Sequence, residues 1–254
     1  MSTGNTSSEG LEVVRGAGEN GVSPTSAPNI SESAFQSVRE LIVHGKLAPG
    51  SRVIEADLAE RLGVSRTPIR SALHRLQQEG YIIVTSDSGN KARLAVSPLT
   101  QDDARELYRI VGHLEGLAAR STAQLEPQAR AGLVERLRRH NEGLRELAET
   151  RRVNPNLTFG LDINFHKAII DASAGPRLRA IHDAIKPQTE RYWRLYTSAI
   201  TDQLGISVGE HVVIIESIKR GDVDSAERAL QMNWQNGAER LCRVIETLGE
   251  RGSW

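Results

Sequence analysis

Apolar residues recur every third or fourth position through most of the chain, the period of a helix buried along one side. Between Ser31 and His44 the apolar set is Phe35, Val38, Leu41 and Ile42, with Ser31 or Ser33 as caps and Gly45 as the stop, which predicts a first helix. Ile54, Leu58 and Leu62 repeat at every fourth residue, and Gly63 ends a second helix. A third is marked at both ends between Val64 and Gly80. Ser65 or Thr67 can cap it, Pro68 is tolerated in a first turn, and Gly80 suits a left-handed stop. At about 100° per residue, Ile69, Leu73 and Leu76 fall on one side of this helix. Thr67, Arg70, Ser71 and His74 share the opposite arc, with Arg66 beside them. The period then changes: 81–84 is β-prone, 85–90 is rich in turn residues, and 91–96 alternates again.

Two short helices meeting at a tight turn, followed by a β-hairpin, have the layout of a winged helix-turn-helix, whose second helix offers its N-terminal side chains to the major groove. The helix pair alone also fits an ordinary αα-hairpin with a solvated basic face; the hairpin that follows favours the winged reading. Residues 1–29 carry few large apolar side chains and are expected to be a disordered tail. Ser97-Pro98 breaks the last strand. From 102 onward no alternating run appears, and helical segments are expected near 102–122, 127–150, 158–173, 176–200, 206–220 and 222–249. Pro127, Gly175-Pro176 and Gly221 supply the breaks, and Pro187 should kink or split the fourth segment. The expected fold is mainly α: a winged helix-turn-helix domain at 30–98, then an all-α bundle of six to seven helices at 99–250.

Charge does not announce a partner. In 254 residues, 32 Lys and Arg balance 32 Asp and Glu, so DNA contact must come from a local patch on the third helix and the wing, where Arg66, Arg70, Arg75, Lys91 and Arg93 gather. Cys242 is the only cysteine, which excludes an internal disulfide and a multi-cysteine zinc site. No run of about 18 apolar residues exists to span a bilayer and no export signal is present, so a cytoplasmic setting is expected.

Three polar positions fall where apolar ones are expected. On the wheel for 158–173, Asp162 and His166 lie one turn apart among Phe159, Phe165, Ile169 and Ile170, and His211 sits among Val208, Ile214, Ile215 and Ile218. A lone inward histidine is ordinarily a core residue bonded to a carbonyl. Three inward ionisable groups need partners, and one divalent cation such as zinc or nickel would satisfy Asp162, His166 and His211 together. Arg191, Tyr192, Trp193 and Tyr196 form a dense polar and aromatic patch, from which Arg191, Tyr192 and Tyr196 are taken as candidate effector-binding residues.

The pattern Leu47-Ala48-Pro49-Gly50-Ser51-Arg52, then Leu58-Ala59-Glu60-Arg61-Leu62-Gly63-Val64-Ser65-Arg66-Thr67-Pro68-Ile69-Arg70 with Leu73 and Glu79-Gly80, resembles the winged helix of GntR-type transcription regulators. The resemblance implies that Arg66, Thr67 and Arg70 touch DNA and that the wing tip near Gly89 enters the minor groove. With Ser65, His74 and Lys91 from the same face, these form the candidate DNA contacts. Ala56 stands where some members carry a DNA-contacting arginine. The remainder resembles the FCD effector domain of the FadR branch: Asp162-Ile163-Asn164-Phe165-His166 matches its Asp-x-x-x-His motif, and Glu210-His211, Gly221-Asp222 and Ala226 match its later helices. In metal-binding members a further histidine completes the site where this chain has Asn233. Val111 occupies the place of an effector-binding arginine.

The expected function is a ligand-responsive regulator that binds a near-palindromic double-stranded DNA operator as a homodimer. The resemblance implies a repressor released when a small-molecule effector occupies the bundle. Phosphate-cradling loops, nucleophile elbows and His-Glu-x-x-His motifs are absent from the sequence, and the expectation is that the chain is not an enzyme. Two alternatives remain open at this point: a metal-dependent enzyme on the bundle, with Glu115 as a nominal base, and a constitutive DNA-binding protein with a purely structural bundle.

Overall fold

A computed structural model describes residues 30–86, 92–150, 154–200 and 203–253. The predicted tail and two predicted wing contacts, Gly89 and Lys91, lie outside the described residues. The first three helices are α1 (Ile30–Val43), α2 (Glu55–Leu62) and α3 (Arg66–Gln78). Strand β1 (Arg52–Val53) precedes α2, and β2 (Ile82–Ser86) and β3 (Ala92–Val96) follow α3. All three strands are antiparallel in the order β1-β3-β2, with Ile82 opposite Val96 and Arg52 opposite Ala95. Two residues are too few to show alternation, which is why β1 is not legible as a strand. Phe35, Val38, Ile42, Leu58, Ile69, Leu73, Leu76, Tyr81 and Val96 form one core, each large side chain contributing about 1.5–3 kcal/mol by leaving water.

The helix starts differ from the expected ones in three places. α1 begins at Ile30, so Ser31 and Ser33 lie inside its first turn instead of capping it. Ile54 precedes α2 in extended conformation and is 38% exposed, so the apolar stripe of that helix starts at Leu58. Ser65 occupies the capping position of α3 but its side chain makes no capping hydrogen bond. Gly63, at φ 65°, ends α2 in the left-handed conformation that a side chain would strain, and this sets the turn between α2 and α3.

The second half is α4 (Gln101–Ala123), α5 (Pro127–Thr150), α6 (Pro155–Ser173), α7 (Pro176–Ile200), α8 (Leu204–Arg220) and α9 (Val223–Leu248). Thr100, Asn154 and Asp222 cap α4, α6 and α9 with side-chain acceptors. The Asn154 cap explains why α6 starts at Pro155, three residues before the expected position. Pro187 lies inside α7 without splitting it. Within the bundle, α4 runs through the middle and packs against α6, α7, α8 and α9. Its approach to α9 depends on glycine: a Cβ at Gly112 would sit 2.8 Å from the Cβ of Trp234, and one at Gly116 would sit 3.0 Å from Gln231 Cγ.

A seam joins the halves. Gln188 on α7 donates to the Glu79 carbonyl at 2.6 Å, and Arg191 donates to the Ser97 carbonyl at 2.5 Å. Leu99 and Arg251 exchange backbone hydrogen bonds of 2.8 and 3.1 Å, closing the linker against the segment after α9. The Gln101 amide donates to Glu250 at 3.0 Å.

Replacing Gly112 by alanine should destabilise the protein by about 1–3 kcal/mol, because the Trp234 Cβ cannot swing aside as a side-chain tip would. Gly132 on α5 has nothing within 4 Å of its missing Cβ, so Gly132→Ala should be neutral or stabilise by up to about 1 kcal/mol. Thermal melting of both variants checks the pair, and a Gly112→Ala melting point at or above wild type would contradict the close approach.

Candidate metal and ligand site

Asp162 and His166 project from one face of α6, and α8 brings His211 to meet them. Their ligand-capable atoms all lie within 4.8 Å of one another. Asp162 Oδ1 is 3.7 Å from His211 Nε2. His166 is 4% exposed and His211 is fully buried.

Both imidazoles are fixed from behind. His166 Nδ1 lies 2.6 Å from Glu115 Oε2, so the carboxylate requires the hydrogen on that nitrogen and Nε2 faces the cluster. His211 Nδ1 lies 3.1 Å from Asn141 Oδ1, while Asn141 Nδ2 donates to the Val208 carbonyl at 3.1 Å. That donation orients the amide, so its oxygen accepts from His211 Nδ1 and leaves a lone pair on Nε2. His211 Nε2 is buried and has no hydrogen-bond partner among the described residues. Phe165 stacks on the His211 ring at 3.9 Å.

The electrostatics separate the two histidines. Burial drives the His211 pKa well below its usual value, with the neighbouring His166 charge adding to the fall, so this ring is neutral. Burial alone would lower His166 as well, but the Glu115 carboxylate outweighs it and the net shift is upward. Burial opposes the charge on Glu115; His166, through charge and hydrogen bond, and His182, through its hydrogen bond, hold its carboxyl far below the usual range.

Glu115 is the centre of this arrangement. Its carboxylate takes His166 on one oxygen with Trp234 Nε1 at 2.8 Å, and His182 Nε2 at 3.1 Å on the other. A carboxylate engaged three times stands behind the His166 ring, so the nominal role of Glu115 as a base for metal chemistry does not hold. His182 has no role in the sequence-based reading, which had no periodicity to place it beside Glu115.

Two imidazole nitrogens and a carboxylate suit a zinc- or nickel-like ion, and the buried unpartnered Nε2 of His211 is the observation that fits such a group. Asn233 lines the same cavity but commits its Nδ2 to Glu210 at 2.8 Å, so only its carbonyl oxygen remains as a donor atom. Glu210 also accepts from Asn236 and holds Arg240 at 2.7 and 3.0 Å.

The cavity against this cluster encloses about 90 Å³ and is walled by Tyr108, Phe159, Trp193 and Trp234. Lys186 lines it with its ammonium 5.2 Å from the Trp234 ring centroid. The Thr158 hydroxyl, also on its wall, is buried without a partner among the described residues. The three candidate effector residues are not among its walls. Arg191 bonds to Ser97, Tyr192 to Thr100 and Asp103, and Tyr196 to the Gly249 carbonyl. They occupy the side of α7 that meets the seam, whereas Trp193 between them turns inward. A patch dense in sequence is divided by the helix between two faces.

On α3, Ser65, Arg66, Thr67, Arg70 and His74 are all exposed, opposite buried Ile69, Leu73 and Leu76. Arg70 Nη2 is held 3.0 Å from Glu55 Oε2 of α2. Ala56 is half-buried on α2, and Val111 is fully buried on α4.

The FCD domain family matches residues 106–236, and the family described as bacterial regulatory proteins, gntR family, matches residues 30–91. An HTH-type transcriptional regulator from an unstable DNA locus of Streptomyces ambofaciens is 30% identical over 199 residues, covering 78% of each chain. The transcriptional repressor NanR of Escherichia coli is 26% identical over 232 residues, covering 82% of each. Among solved structures, E. coli McbR/YncC superposes with a TM-score of 0.62 at 24% identity, over 85% of this chain and 99% of that one.

Replacing Glu115 by leucine leaves two buried imidazoles and an indole N–H without their acceptor and should cost about 3–5 kcal/mol of stability. Glu115→Gln, which keeps one acceptor oxygen, should cost less. Denaturant titration measures both, and a Glu115→Leu midpoint equal to wild type would contradict the network.

Proposed function

We infer, for a chain that belongs to the gntR family of bacterial regulatory proteins and carries an FCD domain, that operator binding by α3 is governed by what occupies the bundle cavity. The chain is a ligand-responsive DNA-binding transcription regulator and not an enzyme. The observation that carries the ligand reading is the pair of oriented imidazoles beside Asp162, of which His166, with Asp162, lines a cavity with aromatic walls.

Asp162, His166 and His211 hold a divalent cation, with the Asn233 oxygen as a further donor. Such an ion supplies a positive point at which an anionic effector group attaches. Lys186 offers the second positive charge on the same wall, where its ammonium has no carboxylate within ion-pair distance among the described residues. Trp193, Trp234, Tyr108 and Phe159 take the apolar part of the ligand, and the Thr158 hydroxyl takes a polar substituent. The effector is therefore a compact anion with an apolar body, bound without an arginine at Val111.

Arg66, Thr67, Arg70 and His74 read base edges, and Ser65 meets the phosphate backbone at the start of α3. One winged helix covers too few base pairs for specific affinity, so a homodimer on a near-palindromic operator follows. Repression is relieved when the effector binds the shape that does not fit DNA more tightly than the shape that does. A protein that acts on the operator works in the cytoplasm. Among the described residues no helix is long and apolar enough to cross a membrane.

Arg70→Ala should weaken binding to a duplex selected by the wild-type protein from a random pool by about 10- to 100-fold, the worth of one bidentate base contact. Its metal content should not change. Fluorescence anisotropy and elemental analysis measure the two, and unaltered DNA affinity would remove Arg70 from the contact set. His166→Ala should purify without the roughly one ion per chain expected of the wild type. Asn141→Ala should retain the ligands but lose about 10- to 100-fold in metal affinity, because the His211 ring loses its orienting partner. Calorimetric titration with zinc distinguishes them, and equal affinity in all three proteins would reject the site.

A further inference from the structure

One helix carries both the cavity and the seam. Lys186, Thr189, Glu190 and Trp193 of α7 line the cavity. Between them, Gln188 and Arg191 point the other way, buried to within a few per cent of complete. Gln188 holds the carbonyl of Glu79, the residue at which α3 ends, and a Cβ on Gly80 would lie 3.7 Å from its amide oxygen. Arg191 holds the carbonyl of Ser97, whose hydroxyl donates to the Gly80 carbonyl at 2.6 Å and whose amide donates to the Tyr81 carbonyl at 2.9 Å. Two neighbouring side chains of α7 thus grip the exit of α3 and the root of the wing at the point where these two strands of chain are themselves tied together.

The helix is weakest just before this grip. Pro187 has no N–H to give the Asp183 carbonyl its usual helical bond, and the next residue is Gln188. Arg191 has no carboxylate within ion-pair distance among the described residues, and its second terminal nitrogen is buried without a partner. The Tyr81 hydroxyl across the seam is likewise buried and, among the described residues, without a hydrogen-bond partner. Polar groups in this condition favour any small displacement that gives them partners.

We propose that α7 is the coupling element of the molecule, with Gln188 and Arg191 as positioning residues that set the end of α3 according to what fills the cavity. The inference rests on reading the cavity as the effector site. Material in the cavity displaces the Thr189, Glu190 and Trp193 face of α7, the segment after Pro187 turns as a unit, and the Glu79 and Ser97 carbonyls follow. No relay of intervening side chains is needed, since the two faces are a single helical turn apart.

The test needs no effector. Ser207→Phe and Gly237→Leu each fill the cavity from helices other than α7, and zinc loading of the unsubstituted chain perturbs it without any substitution. Hydrogen exchange of the full-length protein is followed by mass spectrometry at 76–84 and 96–99. Each perturbation that leaves the fold intact should change exchange there by about fivefold or more, the low end of ordinary coupling between sites. In a Gln188→Met, Arg191→Met background the increment over that background's own baseline should fall to about one third of that or less. Restoring Gln188 and placing lysine at 191 should recover the response, which a purely structural loss would not. An unchanged increment in the double-methionine chain overturns the proposal, as does a cavity filled with 76–84 unmoved. If filling substitutions move 76–84 while zinc and anionic ligands never bind, the effector reading fails and the coupling stands.

Discussion

Glu115 draws four helices to one point, because its carboxylate on α4 is satisfied only by donors from α6, α7 and α9. A carboxylate out of contact with water carries a desolvation penalty of several kcal/mol, and His166, His182 and Trp234 offset it only in their present orientations. The constraint runs both ways. The imidazole of His166 is turned so that Nε2 faces Asp162 and His211, and the indole of Trp234 is set against Gly112, where only a residue without a side chain lets α9 come close enough. The floor of the cavity, the aim of a candidate ligand atom and the spacing of the two central helices therefore share a single cause.

Sequence periodicity conveys the mainly α fold well, since each bundle helix is long, amphipathic and punctuated by proline, glycine or a capping side chain. The stripes of α3 and α6 fixed which faces turn inward, so Asp162 and His166 could be placed together from spacing, and His211 on a separate wheel. What periodicity does not convey is distance between helices. Nothing in the sequence links Asn141 to His211 or His182 to Glu115, because those pairs are 70 and 67 residues apart and meet only through tertiary packing. The same blindness grouped Arg191, Tyr192 and Tyr196 with Trp193, although α7 turns those three to the seam and Trp193 to the cavity. β1 was missed because a two-residue strand borrows its identity entirely from its partner β3.

The winged domain presents a complementary economy of charge. With no net excess of cations in the chain, Arg70 rests against Glu55 on the neighbouring helix, which holds the guanidinium extended from α3 at the cost of partial neutralisation. An exposed pair of this kind contributes little stability, so a phosphate or base edge can replace the carboxylate with little penalty. Pre-orientation of this sort limits the side-chain entropy that binding would otherwise consume.

The backbone bridge between Leu99 and Arg251 has a consequence for how the chain is made. The linker leaves the ribosome long before its partner: Gln101 and Glu250, the adjoining pair, are 149 residues apart, which at about 5–20 residues per second amounts to roughly 7 to 30 seconds of synthesis. During that interval the winged domain has its own core and can fold, and the linker gains α7 through Arg191 and Tyr192 while Leu99 still lacks its backbone partner. The setting of the two halves is thus decided in stages, α7 gripping the root of the wing first and the Leu99–Arg251 bridge holding the linker afterwards.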